Sequence, residues 1–225
     1  VNPQPGAVAL LAFALAAQIT LSVALGPPRA SALDLPPAPA PHWLHLASFG
    51  EPIAAAQLAT LYLQAFDNQP GVSIPFQALD YDRVESWLDL ISALDPRSAY
   101  PLLLAAQVYA QVPDPERTRR MFDWVERRFE ADPDRHWRWL AHAAIIARHR
   151  LRDTGLALRY ARAISERATA PSVPPWARQM SVLLAADLGE TEAARVLLGG
   201  LVDSGAIQDP GELEFLLRRI GPAPH

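Results

Sequence analysis

The segment that most constrains this chain is Gly6 to Leu25, GAVALLAFALAAQITLSVAL, 20 residues without a charge. Only Gln18, Thr20 and Ser22 interrupt it with polar side chains. At helical rise it spans roughly 30 Å, the thickness of a bilayer core. In a water-soluble fold it would need burial on every side, and nothing downstream is patterned to sheathe it. A secretory signal usually has a shorter apolar stretch behind a basic start. The expectation is therefore a single membrane span over about residues 6–25, with a signal-like segment or a buried core helix as the alternatives. Its alanines permit close approach of another helix in lipid, and Gln18 is a candidate for a hydrogen bond to an intramembrane partner. No ionisable residue lies inside the segment, which argues against ion conduction or a proton relay along it.

Residues 26–41, GPPRASALDLPPAPAP, hold six prolines and cannot form a continuous helix. They predict an extended, semi-rigid spacer, either a plain linker or a strap laid along a partner. His42, Trp43 and His45 follow. A His-x-x-His pair invites a metal, but this one stands beside prolines without a carboxylate set, and no metal or other cofactor is expected. Trp43 is expected either to pack the tether onto the following domain or to lie at the lipid interface, and it is a candidate partner contact. The chain thus divides into an anchor (1–25), a proline-rich tether (26–50) and a helical domain (51–225).

From about residue 51 the apolar residues recur at helical spacing, with almost no sustained alternation of period two. Glu51–Phe66 carries Ile53, Leu58, Leu61, Tyr62 and Ala65 in register. Residues 67–79 contain Pro70-Gly71 and Pro75 and read as a loop. Asp80 is an N-cap for a helix reaching Leu94. Further helices are expected over 98–111, 116–130, 137–151, 154–168, 175–188 and 190–204. A last one over 210–220 is expected to act as a terminal cap, with Glu212 and Arg219 in solvent. Asp95-Pro96 and Asp132-Pro133 stop two of these helices at a spacing of 37 residues. The fold class is all-α: one transmembrane helix followed by an α-solenoid of antiparallel helix pairs.

The opening Trp137-x-x-Leu140-Ala141, Ala157, the stretch GETEAA from Gly189 to Ala194, and the proline-closed turns at Pro96 and Pro133 resemble the tetratricopeptide-repeat family. The resemblance covers residues 51–220. It implies stacked helix pairs and protein binding in general, and it carries over no ligand and no catalytic residue.

The chemistry available is limited by what the chain lacks. It has no cysteine, so disulfides, thiolate metal sites and cysteine nucleophiles are excluded. Its 20 basic residues are all arginine, which excludes Schiff-base and P-loop lysine mechanisms. None of the glycine-rich, HExxH or GxSxG motifs is present. His142 and His149 stand two helical turns apart, too far to share a metal ion.

Charge is distributed unevenly. Residues 31–96 hold eight acids against Arg83 alone, whereas residues 117–152 hold ten arginines against five acids. Arg119, Arg120, Arg127 and Arg128 are candidate contacts for an acidic partner. The alternative is a solvated face on which Arg119 and Arg120 pair with Asp123 and Glu126 of their own helix. Trp137 and Trp139 cannot point in one helical direction, which makes Trp139 a candidate for a partner surface. Nucleic acid is disfavoured by the net charge of −4 and the lack of lysine-rich patches.

Together these features predict a non-catalytic scaffold or assembly subunit of a bacterial inner-membrane complex. Its partners are other subunits, integral membrane proteins among them, and lipid surrounds its span. The soluble domain is expected on the periplasmic side, with the cytoplasmic side as the alternative. A periplasmic adaptor for a transient peptide is the second reading and a membrane-bound hydrolase the third.

Overall fold

The computed structural model describes residues 5–25 and 32–221. The first part of the expected tether, with Pro27, Pro28 and Arg29, lies outside them. Among the described residues the protein is all-α, with eleven α-helices and one short hairpin. Helix α1, Pro5–Leu25, contains the stretch Val8–Leu25 with a mean hydropathy of 2.2, long and apolar enough to cross a membrane, and none of that stretch is buried. The Thr20 hydroxyl donates to the Ala16 carbonyl at 2.7 Å, so it is satisfied within its own helix.

The second half of the tether is an ordered strap. Leu35 is buried in the core of the helical array. The amide of Gln69 holds both backbone groups of Leu33, accepting from its N–H and donating to its carbonyl, each at 2.8 Å. The Arg83 guanidinium donates to the Leu35 carbonyl, and the Trp87 indole donates to the Pro36 carbonyl at 2.9 Å. Proline suits this role because its carbonyl accepts while its ring nitrogen has no donor to satisfy.

The array follows as α2 (Pro41–Ala47), α3 (Pro52–Ala65), α4 (Tyr81–Leu94), α5 (Tyr100–Gln107), α6 (Pro115–Ala131), α7 (Pro133–His149), α8 (Thr154–Arg167), α9 (Pro175–Asp187), α10 (Thr191–Asp203) and α11 (Pro210–Ile220). Pro41, Pro52, Pro101, Pro115, Pro133, Pro175 and Pro210 all occupy the first or second helical position. There the missing N–H costs nothing and the fixed φ pre-forms the first turn, so a chain rich in proline is also rich in helix. Asp80 caps α4 as expected, accepting from the amides of Asp82 and Arg83, and Asp114 caps α6 in the same way.

From α3 onward each helix packs on the next, and α4 with α6, α5 with α7 and α9 with α11 also touch. The core is continuous from Leu35 to Ile220, with Tyr109, Phe122, Trp124, Phe129 and Tyr160 fully enclosed. The Tyr81 hydroxyl donates to the Tyr109 carbonyl at 2.7 Å, and burial pushes its pKa up to about 12.

Several elements depart from the sequence reading: helix α2 lies within the expected tether, and the helix expected over 98–111 is α5 followed by a 3-10 turn at Tyr109–Gln111. Residues 67–79 are not irregular throughout: Asn68–Gln69 pairs antiparallel with Val72–Ser73 around Gly71 at φ +76°, and a 3-10 turn covers Phe76–Ala78. Helix α7 begins at Pro133, four residues before Trp137, because a proline that stops one helix can open the next. That places His136 in its first turn, buried, with Nδ1 2.8 Å from the Arg128 carbonyl. Trp176 of α9 is half exposed and stacks edge-on against Trp137 of α7, ring centroids 5.5 Å apart.

Candidate docking surface

The basic run is largely engaged within the array. Arg120 pairs with Asp82 and Glu85 of α4, Arg127 with Glu85 at 2.8 Å, and Arg128 with Asp89 at 2.7 Å. Arg119 instead reaches Asp153, the cap of α8, at 3.1 Å. Asp123 and Glu126 do not pair with arginines of their own helix; both accept from Arg159 of α8, and Glu130 accepts from Arg167. Arg162 of α8 continues the series to Glu190, the residue before α10. The partners are separated by 28 to 42 residues, about one helix pair. Asp82, Glu85 and Asp89 of the acidic stretch thus pair with Arg120, Arg127 and Arg128 of the basic one, from α4 to α6. The Arg120 hydrogen bond holds the Asp82 carboxyl below its usual range, while burial raises that of Glu126 despite Arg159.

The other residues singled out by sequence are dispersed. Gln18 is exposed on α1 and Trp43 is exposed on α2. Trp139 is half-buried against the core. The His42 ring lies against Trp43, centroids 5.1 Å apart. Among the described residues no three His, Asp or Glu side chains gather in a way that could hold a metal ion.

What the structure brings forward is α3. The stripe that its spacing suggested as a core face points outward: Leu58 is 68% exposed and Leu61 61%, with Ile53 and Tyr62 also open. The side turned to α4 is instead Ala56, Ala59, Thr60 and Leu63. These are mostly small residues, which let α3 lie close to its neighbour, and Thr60 satisfies its hydroxyl on the Ala56 carbonyl. Helix α3 thus carries no charge and has two apolar sides, separated on one edge by Gln57, Thr60 and Gln64, yet only one of those sides is covered. A helix of that kind belongs inside a structure, so its outward stripe is an unpartnered surface. The stripe forms a ridge between two open grooves. One, about 440 Å³, is lined by Leu61, Gln64, Ile91 and Tyr100; the other, about 400 Å³, by Leu44, Leu58, Tyr62 and Trp87.

The surface continues into α2 and the turn after it. Trp43 and Leu46 share one exposed face of α2, and Phe49 is 97% exposed. Leu46, Phe49, Leu58 and Leu61 were not chosen as site residues from sequence, although a signal was there. Between Asp34 and Asp67 the only formally charged residue is Glu51.

A second apolar opening, about 760 Å³, lies at the far end between α10 and α11, lined by Leu198, Val202, Leu213 and Leu217 under a rim of Arg195, Asp203, Glu214 and Arg218. Comparison with known proteins adds no relative: no family model, no curated protein and no solved structure matches the chain.

Proposed function

We propose that this chain is a single-pass, membrane-anchored scaffold: a non-catalytic assembly or stabilising subunit of a bacterial inner-membrane protein complex, with its helical array in the periplasm. In this reading the array is an α-solenoid of helix pairs similar to tetratricopeptide repeats. The ion pairs that recur about one helix pair apart support it. So does the burial of Trp137, Leu140, Ala141, Ala157 and Ala194, five of the positions on which that resemblance rests.

The observation that carries the proposal is the uncovered stripe of α3, at the end of the array that is strapped toward α1. An integral membrane partner would lay an apolar surface on Leu58 and Leu61, and Gln18 would add a polar contact within the bilayer. The basic residues would contribute to register and steering more than to affinity, since most are already paired.

Affinity isolation from native membranes in mild detergent tests this. The proposal expects recovery in an assembly well above the 24.6 kDa of one chain, and loss of that assembly in a Leu58→Glu/Leu61→Glu variant that still folds. Recovery as a lone monomer would contradict it. The adaptor reading is favoured by the groove between α10 and α11, which suits an apolar segment with charged flanks. A partner lost on Leu217→Glu but kept by the α3 variant would select that reading.

A further inference from the structure

We infer that the turn joining α2 to α3 seats in the membrane–water interface, with Trp43, Leu46 and Phe49 inserted among the lipid headgroups beside the span. The inference rests on the reading that α1 crosses a membrane, and it adds a second, peripheral contact with the same bilayer.

Three observations converge on it. The first is reach. Helix α1 ends at Leu25, and the chain is fixed to the array from Leu33, where Gln69 holds both of its backbone groups. Eight residue steps separate these points, so the covalent path between them is no more than about 29 Å. Leu35 and the carbonyl of Pro36 are fixed in turn, and α2 begins five residues later. The end of the array that bears α2 is thus held within a few tens of ångströms (at most about 29 Å from Leu25 to Leu33) of the end of the span.

The second is chemistry. Helix α2 carries no acidic residue, α3 carries no charged residue, and Glu51 is the single formal charge between Asp34 and Asp67. A surface meant for water is normally dense in charge, as α6 and α7 are. An indole, a leucine and a phenyl ring on one small projection are the side chains that partition to the headgroup region, the indole with its N–H among polar groups and its body among upper acyl chains.

The third is backbone conformation. Phe49 has φ +50° and is followed by Gly50 at φ +92°. A non-glycine residue in the left-handed region is uncommon, and a bulky aromatic there is an outlier. Here the conformation projects the ring fully out of the array instead of allowing it to fold back on Leu44 and the core. Lipid is favoured over a protein partner as the cover because Trp43, Leu46 and Phe49 all stand exposed and lie within reach of the span. With no Arg or Lys between Asp34 and Asp67 and Glu51 in the turn itself, the attachment is hydrophobic and not a matter of anionic headgroups.

The natural absence of cysteine makes a clean test possible. Full-length chains with Phe49→Cys or Leu46→Cys, each keeping the other two side chains, are labelled with an environment-sensitive fluorophore and placed in phosphatidylcholine nanodiscs containing a shallow spin-labelled lipid. Val196→Cys, exposed on α10, and Leu15→Cys, within α1, serve as references. The expected result is quenching at both 46 and 49 several-fold stronger than at 196 and unchanged by added salt. Quenching at 46 and 49 no stronger than at 196, while a deep spin label quenches 15, overturns this inference and leaves the span intact. Failure to quench 15 as well overturns the membrane reading on which it rests.

Discussion

His142 shows how one buried side chain sets a pH dependence. Its Nε2 is enclosed without a partner, and burial, aided by Arg150, lowers its pKa below the usual 6.5, while the Ala106 carbonyl acts in the opposite direction. As pH falls through 6.5 the unfolded chain takes up a proton that the folded chain refuses, so stability declines until the folded pKa is reached. The melting temperature in detergent should therefore fall as pH drops below 6.5, and His142→Phe should flatten that slope. An unchanged slope in the variant would show that another group causes it. Asp82 and Asp153 act in a separate, more acidic window. Arg120 depresses the first, and the Leu156 amide, with Arg119 behind it, depresses the second. Their contribution is present above the usual carboxylate pKa and is lost only as pH falls through the depressed values. Trp124 makes a different point: its indole donates to Asp89 at 2.9 Å, and Arg128 both pairs with that carboxylate and lies 5.2 Å over the ring. Trp124→Phe should cost about 1–3 kcal/mol in chemical unfolding, from the lost hydrogen bond and the space left behind.

At the level of elements, the helices were legible and their faces less so. Periodicity located α3, because helical spacing is a local property of the chain. Which side of α3 would be buried was not local. Leu58 and Leu61 make as good a core stripe as Ala56, Ala59 and Leu63, and the smaller residues win because α3 lies close against α4. A helix with two apolar sides has no sequence signal for which is inward, and that same ambiguity marks a helix meant to be covered on both. The strap was legible as extended but not as bound, since Gln69, Arg83 and Trp87 are 36 to 51 residues away from the carbonyls they hold. Replacing Leu35 by Asp should release it: amide hydrogen exchange at residues 33–35 should rise sharply while α7 to α9 keep their protection. Equal loss of protection in both regions would mean that the strap is integral to the array and not an attachment to it. Conversely, Leu58→Glu with Leu61→Glu should leave stability within about 0.5 kcal/mol of the parent, because exposed positions away from special features tolerate such changes.

For the whole molecule, the uneven charge of the sequence resolves into an internal series. Acids of α4 meet arginines of α6, acids of α6 meet arginines of α8, and Arg162 of α8 meets the residue before α10. Exposed pairs of this kind contribute little to stability individually, on the order of 0–1 kcal/mol each, but wrong registers of stacked helices would leave them unmatched. Among the described residues, much of the exposed apolar surface lies toward the N-terminal end, on α1, the projection after α2 and the outward stripe of α3, with the opening between α10 and α11 at the other end. Covering Leu58 and Leu61 would gain on the order of 1.5–3 kcal/mol each before the costs of association. The central claim is that this stripe is covered in the native membrane, and single-cysteine accessibility measures it directly. With Leu61→Cys and Val196→Cys compared in native membranes, using a polar maleimide that reaches the side bearing the array, the account predicts slow labelling at position 61 and rapid labelling at 196, with 61 becoming rapid once the protein is purified away from its partners. Labelling at 61 as fast as at 196 in native membranes would contradict it.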